Sequence, residues 1–90
     1  MSYTVTWQPS ASDELLEIWL AASSSDREAI AMTAHSVDRL LKFNPEAIGE
    51  ARSGAARVLF ARPLIVTYEV RTDDRIVVVL AVHRPPDSSV

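Results

Sequence analysis

Three segments decide how this chain folds: Arg57-Val-Leu-Phe-Ala61, then Leu64-Ile-Val-Thr-Tyr-Glu-Val-Arg71, then Arg75-Ile-Val-Val-Val-Leu-Ala-Val-His-Arg84. Each is rich in β-branched and aromatic residues. Pro63 punctuates the first junction and Thr72-Asp73-Asp74 the second, so the segments read as three successive antiparallel strands. With regular hairpins, residue parity sorts the side chains onto two faces. Val58, Phe60, Leu64, Val66, Tyr68, Val70, Ile76, Val78, Leu80 and Val82 fall on one, almost wholly apolar and suited to meet helices. Arg57, Leu59, Ile65, Thr67, Glu69, Arg71, Arg75, Val77, Val79, Ala81 and His83 fall on the other. A solvated face would alternate to polar residues, but the last strand is apolar on both sides. Ile65, Val77, Val79 and Ala81 are therefore expected to form a partner-binding surface, unless the chain's own long loop covers them or they stay exposed.

Working outward, Tyr3-Thr-Val-Thr-Trp7 reads as a short strand ended by Pro9. Ala11, Leu15, Ile18, Trp19 and Ala22 recur at helical spacing, predicting an amphipathic helix over 11–23 with Ser10 or Ser12 as its cap. Ser25 and Glu28 have capping-box spacing, and Ile30, Ala34, Val37, Leu40 and Leu41 form the apolar stripe of a second helix ending near Phe43 before Asn44-Pro45. Residues 44–55 are a long connection without a period, the kind of loop that is often functional. The order is β-α-α-β-β-β, an α+β domain with a helical hairpin on one face of a mostly antiparallel sheet. Residues 1–90 make one domain, with 85–90 as a polar tail.

Composition narrows the classes further. The 90 residues contain no cysteine, which excludes disulfides and thiolate metal sites, and the two histidines, His35 and His83, lie far apart. The longest apolar run, Ile76 to Val82, is too short to span a membrane, and the first residues have no signal-peptide pattern, so a cytoplasmic domain is expected. No glycine-rich phosphate loop, metal-spaced carboxylate set or Ser/His/Asp order is present, so no cofactor and no metal are expected.

Charge is uneven. Residues 1–50 carry eight acids and three bases, a balance of −5; residues 51–90 carry four acids and six bases, all arginine, a balance of +2. Arginine's planar fork suits phosphate and carboxylate, so the second half is fitted to an anionic partner, although long arginine stems also cover apolar strand edges. On the regular register Arg57 lies opposite Glu69 as a cross-strand pair. His83 falls near Pro63, between Arg62 and Arg84. A histidine there can serve as a base, or simply donate one hydrogen bond at a strand end.

The run Tyr3-x-Val-x-Trp-x-Pro-x-Ala11 followed by Leu15-x-x-Ile18 resembles the opening of the RelE/ParE superfamily of type II toxin–antitoxin toxins, also called plasmid stabilisation proteins. Leu40-x4-Pro45-x3-Gly49, Arg57-Val-Leu-Phe60, Pro63-Leu-Ile-Val-Thr-Tyr-Glu-Val70 and the strand from Arg75 to Arg84 are similar to later family segments, in the right order. The resemblance implies two helices against an antiparallel sheet, and a growth-inhibiting toxin held inactive by a cognate antitoxin that wraps it. It implies one of two outcomes: ribosome-associated messenger-RNA cleavage, or inhibition of DNA gyrase. As an endoribonuclease the chain departs from the family. The arginine expected three residues before the middle-strand tyrosine is Ile65, and no tyrosine follows Tyr68. Arg57, Arg62, His83 and Arg84 remain as the catalytic candidates, with His83 as the only base because arginine stays protonated. The alternative is a catalytically inactive protein-interaction module of the same fold.

Overall fold

A computed structural model describes residues 2–86; the last four residues of the expected tail, 87–90, lie outside them. The elements run β1 (Thr4–Trp7), α1 (Pro9–Ala21), α2 (Ser24–Phe43), β2 (Glu50–Ala51), β3 (Ala56–Ala61), β4 (Leu64–Arg71) and β5 (Ile76–His83). The five strands form one sheet in the order β1-β5-β4-β3-β2, antiparallel except for the β1–β5 pair. The α+β reading holds, with the two-residue β2 added inside the long loop.

Helix starts differ from the predicted caps for local reasons. Pro9 does not merely end the strand; it begins α1, where its fixed φ is already helical and its missing N–H is not needed. The cap of α2 is Ser23, two residues before the expected Ser25, and its Oγ accepts from the Asp26 amide at 3.3 Å. The hairpin is closed by Arg27, which donates to the Trp19 and Leu20 carbonyls at 2.9 and 2.8 Å and stacks on the Trp19 ring at 4.5 Å. A cation there adds to the Ala22 amide in capping the carbonyls at the negative end of α1.

The core lies between the helices and one sheet face. Ala11, Ile30, Val37 and Leu41 from the helices meet Leu64, Val66, Tyr68, Val77, Val79 and Val82 from β4 and β5. This overturns half of the face assignment. Val77 and Val79 are fully buried beneath the helices and cannot form a partner surface. Two features of register cause the reversal. Ala61 pairs with Leu64, so the β3–β4 turn has only two residues, Arg62 and Pro63, and an even residue on β3 faces an odd one on β4. Between β4 and β5, Thr67 pairs with Ala81 but Tyr68 pairs with Val79, leaving Leu80 as an extra residue in a bulge. A bulge moves every residue on one side of it to the opposite face. Hence Val82 points inward as expected, while Val77 and Val79 join it and Ile76 and Val78 turn outward. On β3 the inward residues are Arg57, Leu59 and Ala61, and Val58 and Phe60 face out.

The two-sided apolarity of β5 follows from its place in the sheet. It is flanked on one side by β1 and on the other by β4. Outward-facing Val78, between Thr6 and Glu69, is only 6% exposed without any further cover.

Candidate functional site

One end of the sheet is closed by its own backbone. Tyr68 is fully buried, and its hydroxyl lies 2.8 Å from the Pro45 carbonyl and 2.7 Å from that of Ile48. Arg57 lies beside it. The register places Arg57 opposite Tyr68 rather than Glu69, and its guanidinium donates to the Ile48 and Gly49 carbonyls at 3.2–3.3 Å. Glu69 instead accepts from Arg71 at 2.8 Å. Burial raises the Tyr68 pKa above 10.0, and the nearby Arg57 partly opposes that rise. Gly49 completes the cluster with φ 72°, and an added Cβ would stand 2.7 Å from the Val58 carbonyl oxygen and 2.8 Å from the Tyr68 hydroxyl. Arg57 therefore serves as a clamp on the loop through its Nε and one terminal nitrogen.

The opposite end is open. The Arg62-Pro63 turn is fixed to α2 where Thr33 Oγ1 donates to the Arg62 carbonyl at 3.2 Å. His83 closes β5 directly across from Ile65, and Ile65 faces Phe60 on β3, so Phe60, Ile65 and His83 form one outward row across three strands. Val58, Thr67 and Ala81 form the row behind it. Past the strand, Arg84 turns back to α2 and pairs with Asp26 at 2.9 Å. A groove of about 620 Å³ opens here, lined by Phe60, Arg62, Pro63, Leu64, Ile65, Arg84, Pro85 and Pro86.

The structure thus brings together Arg62, His83 and Arg84, as the sequence placed them, and adds the apolar pair Ile65 and Ala81 on the adjoining outer face. It separates Arg57 from them by the length of the strand. Sequence reasoning missed Phe60, which it put in the core but which is 55% exposed on the groove wall. It also missed Asp26 as the partner of Arg84. The two-residue spacing between Ala61 and Leu64 was the available signal for Phe60, because the shortest hairpin loops fix which residues face each other. Among the described residues no carboxylate pairs with Arg62, and no cluster of three or more His, Asp or Glu side chains is arranged to hold a metal. No helix among them is long and apolar enough to cross a membrane.

Chemically, the open end offers two guanidinium forks, one imidazole and a band of apolar surface. That combination suits a macromolecular surface presenting anions beside apolar groups.

No family model and no curated protein matches the chain. Solved structures do match. The toxin–antitoxin complex RelBE2 from Mycobacterium tuberculosis superimposes with a TM-score of 0.77 at 18% identity, over 97% of this chain and 95% of that one. The chromosomal ParDE system from P. aeruginosa gives 0.72 at 16% identity, over 91% and 95%. The archaeal RelE–RelB complex from Pyrococcus horikoshii gives 0.63 at 12% identity, over 98% and 100%. The helical hairpin, the sheet and their order agree across nearly the whole length of each, and this chain has the RelE/ParE toxin fold.

Proposed function

We propose that this chain is the toxin component of a type II toxin–antitoxin pair, neutralised by a cognate antitoxin, and that it arrests growth in the cytoplasm by gripping its target at the Arg62–Arg84 groove rather than by cutting RNA. The observation that carries this reading is the groove itself, where two arginines, the exposed Phe60 and the half-buried Ile65 converge at one end of the sheet, with His83 across from Ile65 on β5. Support comes from the fold, which recurs in the RelBE2 and ParDE toxin–antitoxin structures.

Cleavage of RNA needs a base for the 2′-hydroxyl and unencumbered cations for the phosphorane charge. Arg57 is committed to loop carbonyls and Arg84 to Asp26. The apolar Ile65 stands where the resemblance calls for arginine. A binding mode tolerates all three, which favours DNA gyrase over ribosome-associated messenger RNA as the target. One observation favours the second reading: the exposed His83 precedes Arg84 and pairs across from Ile65, two residues that line the groove, and cleavage would require a base there.

Induced expression tests the proposal. Growth arrest relieved by the product of the adjacent small gene supports it, and harmless accumulation of folded protein selects the inactive interaction module. With purified components, inhibition of gyrase supercoiling supports the binding mode. Ribosome-dependent messenger-RNA cleavage that His83→Ala abolishes selects the second reading instead.

A further inference from the structure

Both arginines of the open groove are held from one helix. Thr33 of α2 donates its Oγ1 to the Arg62 carbonyl at 3.2 Å, and Asp26 of α2 accepts from Nη2 of Arg84 at 2.9 Å. Positions 26 and 33 lie seven apart, two turns along one face of α2. Their anchor points therefore stand about 10 Å apart along the helix axis.

These anchors hold what the sheet does not. Arg62 and Pro63 are the whole of the β3–β4 turn, and Arg84 is the first residue past β5. Pro85 and Pro86, which continue the groove wall, have no N–H with which to join a ladder. Among the described residues the bond to Asp26 is the one side-chain hydrogen bond made by 84–86. Asp26 is itself well placed. It sits in the first turn of α2, where a negative charge suits the positive helix end, and its amide donates to Ser23 Oγ at 3.3 Å. Among the described residues Arg84 uses Nη2 alone, which leaves Nε and Nη1 to face an occupant of the groove. A half-exposed ion pair adds little to stability. A loose arginine, however, has to be immobilised before it can bind, and a tethered one does not.

We infer that Asp26 and Thr33 are positioning residues: they fix Arg84 with its Pro85-Pro86 wall, and the Arg62 turn, at a set span on α2, so that both arginines stand ready at the groove. That they do so for a growth-arresting target rests on the toxin reading above; the anchoring does not.

Nitrogen-15 NMR of the free protein reads the anchoring directly, with the Arg84 Nε–Hε signal assigned by its loss in Arg84→Lys. The heteronuclear NOE of that signal is expected to fall in Asp26→Ala to the level of the exposed Arg39, and to recover in Asp26→Glu. The backbone NOE at Arg62 is expected to fall in Thr33→Val and recover in Thr33→Ser. At matched melting temperature, the protein level needed for half-maximal growth arrest is expected to rise about 3- to 10-fold in Asp26→Ala and in Thr33→Val. Asp26→Glu and Thr33→Ser should stay near the wild type. Unchanged NOE values would overturn the assignment, as would equal losses in the conservative variants. Arrest by Asp26→Ala and Thr33→Val at the wild-type level, or stronger arrest by Asp26→Ala, would overturn it and leave the toxin reading standing. If the NOE values change as expected and wild-type expression arrests nothing, the toxin reading falls and the anchoring stands.

Discussion

At one end of the sheet Arg57 turns inward, donates to the Ile48 and Gly49 carbonyls and lies beside the buried Tyr68; at the other, Arg62 and Arg84 flank a groove open to solvent. Arginine supplies both ends, yet the donors of Arg57 meet fixed backbone acceptors whose loss would leave polar groups unsatisfied in a closed space. Arg62 meets no carboxylate among the described residues, and Arg84 holds a half-exposed ion pair of the kind that contributes little to stability. What distinguishes the structural cation from the other two is that its partners are fixed backbone carbonyls, whereas Arg84 has a half-exposed carboxylate and Arg62 no carboxylate at all among the described residues. The closed end should therefore respond to mutation in stability, and the open end in activity with stability nearly unchanged.

The largest break in that contrast comes from Tyr68→Ala, which empties a fully buried aromatic site and should cost about 3–5 kcal/mol of unfolding free energy in urea titration. Gly49→Ala comes next. Its Cβ would meet the Val58 carbonyl and the Tyr68 hydroxyl at under 3 Å from a backbone with φ 72°, and a loss of about 2–4 kcal/mol is expected. Tyr68→Phe keeps the ring and removes only the hydroxyl, leaving the Pro45 and Ile48 carbonyls short of a donor, for about 1–3 kcal/mol.

The same hydroxyl sharpens the comparison through pH. Its folded pKa is raised, so the stability it contributes is complete below 10.0 and is lost as pH climbs through the folded value. Tyr3 adds to this limb in the same direction, raised by desolvation and by its bond to Glu46. Unfolding curves taken above pH 10 should show stability falling, and less steeply in Tyr68→Phe. At the open end, Arg84→Ala should cost under about 1 kcal/mol, since Asp26 is left half in solvent. Phe60→Ser should be smallest, within about 0.5 kcal/mol of wild type, because the ring is 55% exposed. A large destabilisation from either would mean that the open end is part of the structural frame.

The element order, the two helices and the convergence of Arg62, His83 and Arg84 were legible in the sequence because each depends on local spacing and on adjacency along strands. The facing of the sheet was not. Val77 and Val79 look solvent-bound under unbroken alternation, and the bulge at Leu80 alone puts them inside. Bulges leave no reliable mark in a run such as Val77-Val-Val-Leu80, where every residue is apolar. Phe60 was misplaced by the length of one turn, since a two-residue loop and a three-residue loop give opposite faces from the same pattern. Arg57 read as a surface residue because its true partners are backbone carbonyls of a loop that carries no period. Ile65 and Ala81 kept their outward places, and the surface that remains for a partner has moved toward Phe60 and the Arg62 turn.

Growth after induction of Arg62→Glu with Arg84→Glu, compared with wild type at matched protein levels and melting temperature, bears most directly on the open end as the working site. Arrest in the wild type and unimpeded growth in the double variant is the expected result. Full arrest by a folded double variant would contradict it and would place the toxic surface elsewhere on the molecule.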